Sequence, residues 1–198
     1  MWQHPGILQR DFVVYPHLRE NFEGRPPFYS KVDALVELWE SLRVTENAPA
    51  RALFSPRLLK DWLPHIAIVE AVGEPRRFRV RMMGTACARI AGSDNTGKWI
   101  DECVQPDCLE LLLDAYAQCL DSGEPIVRKA EIISDGRKRT IVHRLFLPCL
   151  DSEGQRNTIL IAAYAMEQLG RFYDMEKVMQ RALQKPIPRA PDTDVVFL

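Results

Sequence analysis

The chain has 198 residues, 46% of them hydrophobic and 27% charged, so it can bury the core of one domain and still carry extensions at its ends. Its formal net charge of −1 gives no general attraction to nucleic acid or to an acidic membrane surface. Five cysteines without a Cys-x-x-Cys pair argue against a secreted disulfide framework and against a structural zinc site.

The N-terminal segment carries no targeting signal. It lacks a basic start followed by an apolar stretch, and no part of the sequence approaches the roughly 20 consecutive apolar residues that a membrane-spanning helix needs. We therefore expect a cytoplasmic protein with no membrane insertion and no nucleic-acid partner.

An irregular leader precedes the first predicted helix. Residues 1–29 mix aromatic residues, prolines and charges and end near two consecutive prolines, which oppose helix formation. From Ser30 to Arg43 apolar residues recur at helical spacing, which predicts an amphipathic helix. Its apolar stripe contains Val32, Leu35, Trp39 and Leu42. This stripe either packs on the sheet of its own domain, as is usual for amphipathic helices, or forms the seam of a dimer.

Two strands are predicted in the middle of the chain. Ser55 and Pro56 indicate the start of a short helix that ends at Pro64. Ile66–Val72 is short, β-branched and bounded by turn residues, so it predicts a mostly buried strand. After a turn, Arg77–Met83 alternates apolar residues with arginines, which is typical of a strand with one solvated face.

Helices fill the next part of the sequence. Residues 85–90 have helical composition and stop at Gly92. Asp107 and Glu110 have the spacing of a capping box, which predicts the start of a longer helix. Its apolar stripe contains Leu109, Leu112, Leu113, Tyr116 and Leu120, and we expect this stripe to lie on a sheet.

Three further strands and a terminal segment complete the pattern. The strands are predicted at residues 125–133, at Lys138–Cys149 and at residues 157–166, with a hairpin turn at Asp135-Gly136 between the first two. Residues 171–184 are again typical of a helix, and the remainder to residue 198 predicts a mobile tail.

Four segments together resemble a family of short bacterial proteins that contain one PAS domain and no output domain. They are LVELWESLR (35–43), SPRLLKDWLPHIAIVEAV (55–72), RFRVRMMGT (77–85) and AGSDNTGK (91–98). The order of two strands, short helices, one longer helix and three strands is also that of a PAS domain. The resemblance covers residues 34–166.

This resemblance implies the fold and the class of function. The fold is α+β, with a PAS-like five-stranded antiparallel sheet, short helices on one face of it, and helical extensions at both ends. We therefore divide the chain into a leader at residues 1–29, a PAS-like domain with its preceding helix at 30–166, and a C-terminal helix and tail at 167–198. The implied role is sensing or protein contact, with PAS relatives often pairing as homodimers through a helix that precedes the first strand.

The resemblance also implies that a ligand would lie between the inner face of the sheet and the long helix. The alternation of side chains along the strands and the periodicity of the helix then predict the residues that line this ligand site. They are Phe78, Val80, Met82, Leu112, Leu113, Tyr116, His143, Leu145 and Tyr164. Such a lining suits a small hydrophobic molecule better than a charged one, and it suits a filled core equally well.

Haem, flavin and metals are disfavoured. Haem-binding PAS sensors take iron through a histidine on the long helix, and DCLELLLDAYAQCLDSG contains none. Light-sensing members need a cysteine in an Asn-Cys-Arg-like motif, whereas Cys87 lies in TACARIAG. The four histidines have no metal-ligand spacing, so we expect no metal site.

Two other motifs are weaker. Residues 92–98 have the glycine spacing of a phosphate-binding loop, but Trp99 stands where a Ser or Thr would hold magnesium, so we interpret the similarity as chance. Arg81 precedes Met82-Met83-Gly84-Thr85, where the resembling family also has an arginine. It predicts either a buried ion pair or a contact with a carboxylate-bearing ligand.

Two functions remain open. The first is a non-enzymatic sensor or interaction module of bacterial signalling, which binds a partner protein and an unknown small ligand and has no catalytic residues. The alternative is a small, cone-shaped, isomerase-like α+β enzyme whose pocket acid or base is Asp101, His143 or Glu70, and it requires a carboxylate with a raised pKa in the pocket.

Overall fold

The computed structural model describes residues 10–14, 29–43, 47–104, 106–134 and 138–165. Side chains at residues 10–14, 29, 107, 131–134 and 138–140 are not described. The helices and strands are β1 (Arg10–Val14), α1 (Tyr29–Leu42), β2 (Ile66–Val72), β3 (Arg77–Met83), α2 (Thr85–Ala91), α3 (Ile100–Cys103), α4 (Pro106–Ser122), β4 (Ile126–Ser134), β5 (Lys138–Cys149) and β6 (Thr158–Ala165).

One antiparallel sheet contains all six of these strands in the order β1-β4-β5-β6-β2-β3. The five predicted strands, β2 to β6, are confirmed. The sixth strand, β1, pairs with β4 at one edge, where Arg10 lies opposite Glu131 and Val14 opposite Val127. The prediction of an irregular leader is therefore wrong at Arg10–Val14, because strand pairing orders a segment too short for its own pattern to predict.

Helices cover both faces of the sheet. Helices α2, α3 and α4 pack on one face, called here the inner face. Helix α1 and the segment 47–65 pack on the opposite, outer face. The central strand β6 is consequently buried on both faces, and all eight of its residues are buried.

The apolar stripe of α1 packs on the outer face. Val32, Leu35 and Trp39 are buried there, and Trp39 Nε1 donates a hydrogen bond to the Pro148 carbonyl oxygen at 2.7 Å. Leu42 is partly buried against the same cluster. Of the two interpretations of the stripe, packing within the domain is the one observed. A dimer seam through these side chains would require α1 to leave its own sheet.

The segment before β2 is less helical than its sequence predicts. Residues 55–62 form successive hydrogen-bonded turns, followed by a 3-10 helix at Leu63–His65. Ser55 still caps the turns, since its Oγ accepts a hydrogen bond from Leu58 N at 3.3 Å. Each turn is too short to complete the pattern of an α-helix before Pro64 interrupts it.

The predicted helix ends agree with the structure. Helix α2 ends at Gly92 and α4 ends before Gly123, and both glycines have positive φ angles of 80° and 72°. The Asp107 side chain is among those not described, so its capping role stays a prediction. The turn at Asp135-Gly136, most of the leader, and the predicted helix and tail of residues 167–198 lie outside the described residues.

Candidate ligand cavity

A cavity of about 240 Å³ lies between the inner face of the sheet and helices α2 to α4. The sheet supplies Val69, Val80, Phe146 and Ile161 to its wall, and α4 supplies Cys108, Leu112 and Tyr116. Its polar or ionisable lining residues are Cys87, Ser93, Asn95, Cys103, Cys108, Tyr116 and Arg144. The wall is mostly apolar, as small-molecule sites usually are.

The cavity lies where the sequence predicts it, but its lining differs. Of the nine predicted lining residues, Val80, Leu112 and Tyr116 line the cavity. Phe78 and Leu113 belong to the inner face but line an open groove between β3 and α4. The Phe78 ring still supports the wall, because it packs on Tyr116 with ring centroids 5.0 Å apart.

The remaining four predicted residues lie on the outer face. Leu145 and Tyr164 pack with the cluster under α1, and His143 shares their face by strand alternation. The alternation of side chains along a strand shows which residues share a face. It does not show which face is the inner one when both faces are buried. On β5 the inner residues are Val142, Arg144 and Phe146.

Met82 is on the outer face because of a β-bulge. The pairing runs from Val69 opposite Val80 to Ile68 opposite Met82, so one extra residue of β3 lies between them. A bulge of this kind inverts the alternation of the strand beyond it. Met83 therefore lines the cavity in place of Met82, which packs with the outer cluster.

Burial keeps three groups of the cavity wall in their neutral forms, the thiols of Cys87 and Cys103 and the hydroxyl of Tyr116. Burial raises the pKa of the Cys87 thiol to about 12 and also raises the pKa of the Tyr116 hydroxyl. The positive charge of Arg144 acts on both groups in the opposite direction, which places its guanidinium near them. Burial also raises the pKa of Cys103. These thiols stay protonated at neutral pH and lack the thiolate that nucleophilic chemistry needs.

The three candidate acid–base residues of the enzyme alternative do not lie together in the cavity. Asp101 is exposed and pairs with Arg77 at 2.8 Å, and this hydrogen bond lowers its pKa. Glu70 pairs with Arg81 at 3.1 Å. Burial lowers the pKa of His143 to about 4, and its side chain lies on the outer face. None of the three lines the cavity, so the enzyme alternative loses the pocket acid or base that it requires.

The sequence profile of the protein family described as PAS domain matches residues 29–163. This chain belongs to the PAS domain family.

Two solved structures are similar to this PAS domain. One is a sensory box histidine kinase/response regulator from Burkholderia thailandensis E264, with 12% identity, a TM-score of 0.38, and coverage of 66% of this chain and 98% of the other. The second is an RNA-binding light-oxygen-voltage receptor, with 11% identity, a TM-score of 0.39, and coverage of 90% of this chain and 44% of the other. No curated protein sequence matches the chain.

The loop that resembles a phosphate-binding loop extends the sheet of the PAS domain. Gly97 N donates to the Val80 carbonyl at 2.7 Å, and Val80 N donates to the Lys98 carbonyl at 2.9 Å. Trp99 packs beneath Arg77, whose guanidinium carbon lies 4.3 Å from its ring centroid. Because Gly97 N pairs with β3, this amide is not available to a phosphate group, in agreement with the interpretation of chance similarity.

Arg81 does not form the buried ion pair that the sequence suggests. Its side chain is 52% exposed, and its contact with Glu70 is a surface pair. Exposed ion pairs of this kind contribute little to the stability of the fold, about 0–1 kcal/mol.

The arginine that does line the cavity of the PAS domain is Arg144, which the sequence analysis did not predict. Its signal was a charged residue in phase with Val142 and Phe146, within the mostly apolar second part of β5, residues 141–149.

Metal ligands are also not grouped in the described part of the PAS domain. No three His, Cys, Asp or Glu side chains among those residues lie close enough together to hold an ion. No helix in the same part of the chain is both long and apolar enough to cross a bilayer.

Proposed function

We propose that this PAS domain is a cytoplasmic sensor of bacterial signalling that binds a small, largely apolar ligand in its inner cavity and a partner protein at its surface. The observation that carries the proposal is the cavity of about 240 Å³ between the sheet and α4, with aliphatic and aromatic residues over most of its wall. Concave sites of this composition are the usual form of a small-molecule site. The module acts without catalysis, through ligand-dependent change in its protein contacts.

Filling the cavity tests the proposal. Val80 is 1% exposed and lines the cavity, so we expect Val80→Trp to place its indole there and to cost less than about 1 kcal/mol of unfolding free energy. Val127 lies in the outer cluster, so Val127→Trp is a matched control. Overpacking that core should cost about 1–3 kcal/mol. Equal losses in urea melts would indicate a filled core on both faces.

Native mass spectrometry of the wild type and of Val80→Trp completes this test. A small molecule that is retained by the wild type and lost from the variant supports the sensor. If the variant is severely destabilised and the wild type carries no bound mass, protein contact without a ligand is the function that survives.

A homodimer is part of the same proposal. Since the apolar stripe of α1 is occupied by the sheet, pairing through this helix would use its exposed face, which carries Lys31, Glu37, Glu40 and Ser41. Sedimentation velocity over a range of concentrations tests the assembly, and a monomer at every concentration would contradict it.

We also propose that the domain carries neither haem nor flavin. Helix α4 has no histidine to ligate iron, and burial keeps the Cys87 thiol protonated. Purified protein should therefore show no absorption between about 350 and 600 nm. A Soret or flavin band that persists through gel filtration would contradict this prediction.

A further inference from the structure

Two arginines lie side by side on the inner face of the sheet. Arg128 on β4 is directly opposite Arg144 on β5. Like charges at opposite positions of neighbouring strands destabilise a sheet unless each is compensated. The two arginines differ in whether the described residues compensate their charge.

Arg128 is compensated by α4. Its Nη2 donates to Asp114 at 2.6 Å and to Gln118 at 2.8 Å, and its Nη1 donates to the Leu111 carbonyl at 3.3 Å. The side chain of Arg128 is 6% exposed, so these bonds compensate much of the cost of burying its charge. Arg128 therefore has a structural role, which is to attach α4 to β4.

Arg144 has no such partners among the residues that the structure describes. It is partly buried and lines the cavity, and no residue in the described part of the chain gives it an ion pair or a hydrogen bond. Among the described residues it is also the only charged one in the cavity wall, and none of those lining residues is Asp, Glu or Lys. A guanidinium next to an apolar cavity is costly unless an anion pairs with it.

The cavity offers two further donors. Asn95 is buried, and its Oδ1 accepts hydrogen bonds from Ser93 Oγ at 3.0 Å and from Lys98 Nζ at 3.2 Å. This leaves the Asn95 Nδ2 group as a donor with no partner among the described residues. The hydroxyl of Tyr116 likewise has none in that part of the chain. One positive charge and two neutral donors in an otherwise apolar wall match a ligand with a single group of acceptor oxygens.

We infer that the ligand is a small monocarboxylate with an apolar body, whose carboxylate pairs with the Arg144 guanidinium while its body contacts Val80, Leu112 and Phe146. This inference rests on the proposed sensor function and adds the class of ligand. The guanidinium matches a carboxylate in two parallel hydrogen bonds. A volume of 240 Å³ corresponds to about eight water molecules at about 30 Å³ each, so the ligand has on the order of eight non-hydrogen atoms.

Hexanoate and 1-hexanol form a matched pair of probes, because they share a chain and differ in charge. We expect the wild type, titrated at pH 7 and followed by two-dimensional amide NMR, to bind hexanoate about tenfold to a hundredfold more tightly than 1-hexanol. Arg144→Met should abolish or reverse this preference. Arg57→Met, which makes the same change at an exposed position outside the cavity, should preserve it.

Val80→Trp separates this inference from the sensor proposal. If 1-hexanol binds the wild type, is excluded by Val80→Trp, and is bound as tightly as hexanoate, the carboxylate inference fails and the sensor proposal survives. If neither probe binds, or if Val80→Trp changes the binding of neither, both fail. Should Arg144→Met not fold, the wild-type preference still decides, and Arg144→Lys should retain a reduced preference for hexanoate because it keeps the charge.

Discussion

Trp39 of α1 donates a buried hydrogen bond from its indole nitrogen to the carbonyl oxygen of Pro148 on β5, over 2.7 Å. The bond fixes the rotation of the helix on the outer face, because one edge of the indole ring must point at one backbone atom. Trp39 itself has no accessible surface.

Trp39→Phe should lower the free energy of unfolding by about 1–3 kcal/mol, since the Pro148 carbonyl loses its donor in a place that water does not reach. Trp62→Phe is the matched control. Trp62 Nε1 also donates to a carbonyl, that of Lys31, but at an exposed position where water can replace it, so the loss should be smaller. Urea denaturation of both variants measures the difference. Equal losses would show that the buried bond adds nothing.

Leu35→Glu should prevent folding instead of converting a dimer into a folded monomer. Leu35 has 0% exposure on the outer face, and an unpaired carboxylate there would be buried at a cost of several kcal/mol. Ser41→Glu places the same charge on the exposed side of α1 and should change the stability by less than about 0.5 kcal/mol. Circular dichroism and sedimentation test both variants. If the wild type is a dimer and Leu35→Glu is a folded monomer, the stripe of α1 would be a dimer seam and not part of the core.

Gly84→Ala should be strongly destabilising for a steric reason. Gly84 N donates to the Ile66 carbonyl at 2.7 Å, which holds the glycine against the preceding 3-10 helix. A Cβ atom there would lie 2.6 Å from the Pro64 carbonyl oxygen and would also overlap that of Leu63. We expect a loss of about 3 kcal/mol.

Gly92→Ala is the comparison for that variant. The position is open in space, but its φ of 80° disfavours any residue with a Cβ, so the loss should be about 1 kcal/mol. Thermal melts compare the two glycines. A smaller loss at Gly84 than at Gly92 would mean that the 3-10 helix moves aside at little cost.

Stability should fall between pH 7 and pH 5 partly because of His143. Its folded pKa of about 4 lies below the ordinary value of 6.5, so in this range the unfolded chain binds a proton that the folded protein does not. The contribution is absent above about pH 6.5, grows as the pH falls, and levels off below about pH 4. It should amount to about 2 kcal/mol at pH 5.

His143→Gln isolates this contribution. Burial also lowers the pKa of His65, so both histidines make the wild type less stable in mild acid. The variant should lose less stability than the wild type between pH 7 and pH 5, as measured by urea melts at each pH. Parallel pH dependences would show that His143 is solvated.

The secondary structure could largely be predicted from local patterns, because each of its signals lies within a few residues. The alternation of Phe78 and Val80 with arginines predicts β3, and the glycines at 92 and 123 predict where α2 and α4 end. The strand β1 could not be predicted in this way, since it is ordered by pairing with residues 127–131, more than a hundred positions away.

Three residues of the cavity wall were predicted correctly, Val80 on β3 and Leu112 and Tyr116 on α4. Leu112 and Tyr116 belong to one stripe of α4, and a helix with a single apolar stripe has only one way to face the sheet. Both faces of β6 and of residues 142–149 of β5 are largely buried, so the alternation was predicted correctly but His143, Leu145 and Tyr164 were assigned to the wrong face. The bulge opposite Val69 reversed the prediction for Met82, and a bulge depends on pairing geometry that no local pattern contains.

The burial of β6 on both faces links the two sides of the sheet mechanically. Ile161 forms part of the cavity wall, and its neighbours Leu160 and Ala162 pack in the cluster beneath α1, so a single layer of backbone separates the cavity from that helix. Protein interiors are packed as densely as organic crystals and hardly compress. A displacement of β6 away from the cavity therefore cannot be absorbed on the far side. We expect it to shift α1, although none of the described side chains of α1 lines the cavity.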